Sequence, residues 1–213
     1  MKKIIILTLT ITVIFLTSIF FSLKNHESNS TEEICFTIDK PYIAVVKDLA
    51  TKNSLEKMVE DHEGAVTKKN WESFDVEVPK RILRIKQYKI DGCLKFTVEK
   101  KDKDLGDLKL PFVQDFQLDD KKFSVNTKLV DPQENITEYN KNIEITPKEE
   151  NGLPTKTNIC LKSELKVKKL IPFFFSNYMD EKVKQNNIDD LNDLKNNIIN
   201  SASQSKITLK FDR

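Results

Sequence analysis

Histidine and cysteine are scarce in this chain, and no charge sign dominates. Its 213 residues include two histidines, His26 and His62, and three cysteines, Cys35, Cys93 and Cys160. The cysteines lie far apart and form no C-x-x-C pair, which excludes the usual redox and zinc-ribbon spacings. Two histidines exclude a histidine-rich metal site, and a Ser-His-Asp arrangement would have to rest on His62 alone. Thirty-five basic residues face 33 acidic ones. Without Lys2 and Lys3 the two signs balance. A nucleic-acid binder carries a basic excess on some face, so that partner class is set aside. No metal, cofactor or nucleic acid is expected.

One long hydrophobic run is present. Ile4 to Leu23 contains no charged residue, glycine or proline, and Lys2 and Lys3 precede it. At 1.5 Å per residue such a run spans roughly 30 Å, the thickness of a bilayer's hydrocarbon. The flank Ser22-Leu23-Lys24-Asn25-His26 holds no Ala-x-Ala cleavage site. Residues 1–23 are therefore expected to be a signal anchor or transmembrane helix, with a cleaved signal as the alternative. The leading lysines place the N-terminus inside and the body on the exported, periplasmic or extracellular, side of a single-pass protein. Residues 24–32 are polar and read as a linker, 33–203 as one domain, and 204–213 as a tail.

The body is strand-rich. Ile34, Phe36 and Ile38 alternate with Cys35, Thr37 and Asp39, giving a first strand. Pro41 opens a short helix carrying Ile43, Val46, Leu49 and Ala50 at helical spacing, and a second short helix runs from Ser54 to Gly64. Alternating segments follow around Phe74–Val78, Leu94–Val98, Phe112–Leu118, Phe123–Leu129 and Thr137–Ile145. Turns are expected at Asp91-Gly92, Asp119-Asp120, Asp131-Pro132 and Asn151-Gly152. The mixed run Lys100–Asp104 suits a solvated hairpin tip. From Thr155 to Lys168 the period is two, with Ile159, Leu161, Leu165 and Val167 on one face. Past Pro172 the period becomes helical, through Phe174, Tyr178, Ile188, Leu191, Leu194, Ile198 and Ala202. All three cysteines fall on polar strand faces. Free, half-exposed thiols are expected, because cross-strand bridges need particular geometry. A Cys35–Cys160 bridge stays open should the first and last strands be neighbours.

The opening Ile34-Cys35-Phe36-Thr37-Ile38-Asp39-Lys40-Pro41-Tyr42-Ile43-Ala44-Val45-Val46 and the closing strand that runs into Pro172-Phe173-Phe174-Phe175 resemble the START-like (SRPBCC) helix-grip superfamily. That superfamily includes the Bet v 1-like, polyketide-cyclase and coenzyme Q-binding types. The resemblance covers about residues 33–203, and both pieces are architectural rather than catalytic. It implies an α+β fold: a curved antiparallel sheet of about seven strands wrapped on a long C-terminal helix, with two short helices after strand 1. It also implies an apolar cavity between sheet and helix for a lipid or other hydrophobic small molecule. The inward residues would then be Phe74, Phe96, Phe112, Phe116, Phe123, Tyr139, Phe174 and Tyr178. Aromatics at such spacings are also ordinary core.

Gln114, between Phe112 and Phe116, and Lys141, between Tyr139 and Ile143, are sharper cues. A polar group on an apolar face is costly unless something satisfies it, so each is a candidate for a ligand head group. A bulge or a snorkelling lysine would explain them more plainly. Three functions follow: a membrane-anchored binder of hydrophobic ligands, an envelope scaffold with a filled pocket, or a cyclase- or hydrolase-type enzyme. The last needs convergent ionisable groups in the cavity, and no inward carboxylate–histidine pair is visible, so the reading leans away from catalysis.

Overall fold

A computed structural model of the chain describes residues 22–49, 65–77, 89–102, 106–118, 121–150 and 153–204. Strand β1 (Leu23–Ile38) leads into helix α1 (Tyr42–Leu49). Six strands follow: β2 (Ala65–Glu77), β3 (Lys89–Asp102), β4 (Gly106–Leu118), β5 (Phe123–Leu129), β6 (Ile136–Glu150) and β7 (Leu153–Pro172). A single 3-10 turn, Phe173–Phe175, then opens helix α2 (Ser176–Gln204). The strands form one sheet in the order β1-β7-β6-β5-β4-β3-β2, antiparallel throughout. Strands β2 to β7 are a meander. β1 closes the far side by pairing with the last strand, which leaves β1 and β2 as the two edges. A seven-stranded antiparallel sheet with a long C-terminal helix is the architecture that the helix-grip resemblance implies.

Helix α2 runs along β1, in the same direction. His26 Nε2 meets Asp180 Oδ1 at 2.8 Å, Asn187 Nδ2 reaches Ser30 Oγ at 3.1 Å, and Lys195 Nζ lies 5.8 Å from the centre of the Phe36 ring. At the helix's far end the Lys40 ammonium donates to the carbonyl of Ala202. Leu191 and Ile198 are the helix's deepest apolar residues and join the core. Helix α1 packs on β6 and β7 at this same end, burying Tyr42, Val45 and Val46 and leaving Ile43, read on its apolar side, exposed. Its first turn forms where Pro41, whose fixed φ suits a helix start, offers its carbonyl to the N–H groups of Ala44 and Val45.

Four expectations need correction. Residues 24–32 are not a linker but the first half of β1, in register with β7 from Leu23 opposite Pro172 onward. The inward positions there are Ser28 and Ser30, both buried. Their small hydroxyls give no apolar alternation to read, and the charged outer face is what an edge strand carries. Asp91-Gly92 is not a turn. Both residues lie inside β3, with Gly92 opposite Phe74 on one side and Phe116 on the other. A Cβ on Gly92 would stand 3.1 Å from Phe74 and 3.3 Å from Trp71, so the glycine makes room for rings laid across it. Cys35 and Cys160 are directly opposed, with Cα atoms 4.1 Å apart, and are joined as a disulfide; Cys93 is free.

The fourth correction concerns Phe174 and Tyr178. Both are exposed, Phe174 away from the sheet–helix pocket and Tyr178 at its rim. The 3-10 turn delays α2 to Ser176, so a stripe counted from Phe174 starts out of phase. The buried stripe reads Val183, Asn187, Leu191 and Ile198. The second short helix, the turns at Asp119-Asp120 and Asn151-Gly152, the run before Ser22 and the tail after Gln204 lie outside the described residues. Among the described residues no helix is long and apolar enough to cross a membrane.

Candidate ligand-binding site

Two features meet between sheet and helix. The first is a half-open pocket of about 250 Å³ over the outer end of β7. Its sheet side is Ile136 with the alternating residues Leu165, Val167, Lys169 and Ile171. Its helix side is Phe175, Tyr178, Met179, Lys182, Val183 and Asn186. The first turns of α2 meet β1 through His26 and Asp180, and the helix's deepest apolar residues, Leu191 and Ile198, come beyond the pocket. Over its first turns α2 offers a methionine, a tyrosine and polar residues, which do not fill the space above Leu165 and Val167.

The second feature is a row of polar side chains across the sheet's inner face. Gln114 pairs with Thr127, Thr127 with Lys141, Lys141 with Ser163, and Ser163 with Glu32. Gln114, Thr127, Lys141 and Ser163 are all at most 4% exposed. The row borders the pocket's inner end. Ser163 is the next inward residue after Leu165, Lys141 is the next after Leu165's partner Tyr139, and Asn187 adjoins Asn186.

Lys141 is the row's one buried charge. Its ammonium lies 2.5 Å from Asp190 Oδ2, on α2, and 5.6 Å from the centre of the Tyr139 ring. Burial works against the charge, but Tyr139 and the Asp190 carboxylate outweigh it and hold Lys141 above its ordinary value. Burial pushes the Tyr139 phenol up, and the neighbouring ammonium restrains that rise. Asn187 donates to Ser30 Oγ and, at 3.3 Å, to the carbonyl of Ser163. Gln114 Oε1 and Ser163 Oγ are buried without a hydrogen-bond partner among the described residues. An acceptor left so costs about 1–3 kcal/mol. Both atoms sit at inward positions of the sheet, and neither residue lines the pocket.

The ten residues expected at the site separate into groups. Gln114 and Lys141 are brought into the polar row, two strands apart. Tyr178 borders the pocket. Phe74, Phe96, Phe112, Phe116, Phe123 and Tyr139 pack into or against the core. Ring centres lie 5.4 Å apart for Phe96 with Phe112, 5.4 Å for Phe112 with Tyr139, and 5.0 Å for Trp71 with Phe74. None of these six lines the pocket, nor does Phe174. Thr127, Ser163, Asn187 and Asp190 escaped the sequence reading, as did the apolar lining of the pocket. Period two along β5 and β7 would have found the first two, because each is a hydroxyl at an inward position.

No protein-family model matches the chain, and no curated protein sequence matches it. Solved structures do. A point mutant of norcoclaurine synthase from Thalictrum flavum, in complex with a transition-state analogue, is 10% identical with a TM-score of 0.44, over 85% of this chain and 98% of that one. The truncated form of that synthase is 12% identical, TM-score 0.40, over 85% and 98%. An uncharacterised protein from Rhizobium leguminosarum is 10% identical, TM-score 0.39, over 85% and 99%. At these scores the likenesses do not bear on ligand or reaction. By its own strand order and closing helix, the chain has the helix-grip architecture.

Proposed function

We propose that this chain is a membrane-anchored, exported helix-grip domain that binds a hydrophobic small molecule or a lipid chain between β7 and α2. The pocket carries this reading: about 250 Å³ with walls mainly of Leu, Val, Ile, Met and aromatic side chains. That is slightly below the roughly 300–1,000 Å³ of drug-sized sites, so it suits a slender guest such as one acyl chain. Lys169 and Lys182 in its lining suit an anionic head group. The apolar run Ile4–Leu23 supports the anchor. Tethering such a protein to the bilayer raises the concentration of lipid that it meets.

Mass spectrometry of organic extracts from the purified full chain tests this. A copurifying lipid or other apolar molecule is expected, and Met179→Trp, which fills the pocket, should lose it. An empty extract, together with no binding of a fluorescent fatty acid, would sink the proposal. One observation favours the scaffold reading instead: the strand phenylalanines pack against one another, so the centre of the grip is filled.

A further inference from the structure

The corner between β7 and α2 presents its apolar side chains to the outside. Leu170 is 56% exposed, Phe173 59%, Phe174 54%, Phe175 48% and Tyr178 62%. The rings hold one another: centres lie 5.6 Å apart for Phe173 with Phe174, 4.8 Å for Phe174 with Phe175, and 6.5 Å for Phe175 with Tyr178. The four rings form a contiguous exposed cluster, which marks a contact surface rather than scattered surface residues.

Its place in the fold says which contact. β1 begins at Leu23, and Leu23 is the Cα partner of Pro172, the residue before the phenylalanine turn. Leu23 is also the last residue of the apolar run that begins at Ile4. Twenty residues at 1.5 Å each measure about 30 Å, one bilayer. No linker separates that run from the sheet, because residues 24–32 are already strand. Paired strands lie only about 5 Å apart. A run that crosses the bilayer therefore brings the headgroup layer to the phenylalanine turn. Lys24, opposite Ile171, is exposed, and Lys169 and Lys182 line the pocket beside Phe175 and Tyr178. Glu27, Asp180 and Glu181 are the nearby acids on β1 and α2, and Asp180 is engaged by His26. Aromatic side chains flanked by lysines are what an interfacial segment presents.

We infer that the Phe173–Phe175 turn and Tyr178 insert into the surface of the bilayer in which the chain is anchored. The pocket shares Phe175 and Tyr178 with this cluster, so its mouth opens onto the membrane. A lipid guest would enter from the bilayer without crossing water. The inference rests on the anchored reading of the Proposed function and adds a second membrane contact, made by the folded body.

The test uses the full chain reconstituted in vesicles of phosphatidylcholine with phosphatidylglycerol. Trp71→Phe removes the one tryptophan, and Phe174→Trp places a reporter at the turn. Blue-shifted emission from this reporter is expected, quenched by lipids brominated near the headgroup end of their chains and protected from aqueous iodide. Emission open to iodide and blind to brominated lipid would overturn the inference. Shielding from both quenchers would overturn it too, by showing a protein partner or a second copy on the turn. Tyr178→Trp gives the same readout should Phe174→Trp disturb the turn. Alkaline carbonate extraction of the same vesicles tests the anchor separately: release would remove the anchor, while the quenching still reports insertion.

Discussion

Lys141 is the side chain whose burial asks most of its surroundings. An ammonium in the sheet's interior is tolerated because Asp190 reaches it from α2 and Tyr139 lies beside it. Asp190 itself is 44% exposed, so water can solvate it if the lysine is removed. The two halves of the pair should therefore differ. Asp190→Asn, which strands the buried ammonium, should cost about 2–4 kcal/mol, and Lys141→Met much less; urea denaturation of both variants reads the difference. Gln114 behaves in the opposite sense. Its orphaned acceptor means that Gln114→Met should hold or raise the melting temperature of the empty protein while weakening any guest that donates a hydrogen bond there. Cys93 gives a reactivity prediction. Burial first, then Asp115 and Glu72, push its thiol from 9.0 to about 11. Its alkylation at pH 8 should be slower than a free thiol's by roughly 100-fold, and Asp115→Asn should speed it up.

Among the elements, β1 accounts for most of what the sequence concealed. Its second half was legible because Ile34, Phe36 and Ile38 alternate. Its first half was not, because Ser28 and Ser30 hold the inward places beneath a helix that meets them with Asn187. Hydrophobic periodicity cannot report a polar seam. Side-chain links fasten this edge strand beyond its ladder with β7. The Cys35–Cys160 disulfide closes a separation of 125 residues, and its loss should cost about 2–4 kcal/mol, read as a lower melting temperature in reductant or in Cys35→Ser. The His26–Asp180 contact is another. Burial opposes the Asp180 charge, yet Ser28 and His26 prevail and hold its carboxyl below the ordinary value. A depressed carboxyl stabilises the fold above its unfolded value, near pH 4, and that contribution fades as pH falls through the folded value. Half-exposure keeps it small. Asp180→Asn should thus lower stability slightly at neutral pH and have no effect in strong acid. The C-terminal half of α2 was legible from Leu191 onward, whereas the 3-10 turn, which shifts the phase, has no signature in an apolar run of three phenylalanines.

At the scale of the whole molecule, the order of elements was visible in the sequence and the position of the cavity was not. Period two, period 3.6 and Pro41 suffice to read a sheet closed by a long helix. A cavity is a place where packing fails, and that depends on how far the helix stands off β7, which no single residue states. The strand phenylalanines fill the centre, and the open volume lies at the end where Leu165, Val167 and Val183 face one another. That end also bears the exposed turn and Leu23, the first residue of the sheet, so pocket and turn share one pole.

The most direct test of this placement is nuclear magnetic resonance of the methyl-labelled full chain with a spin-labelled fatty acid. The methyl signals of Leu165, Val167, Ile171 and Val183 should broaden first, with Leu94 and Val125 unaffected. Broadening centred on Leu94 and Val125, or none at any of these methyls, would contradict it.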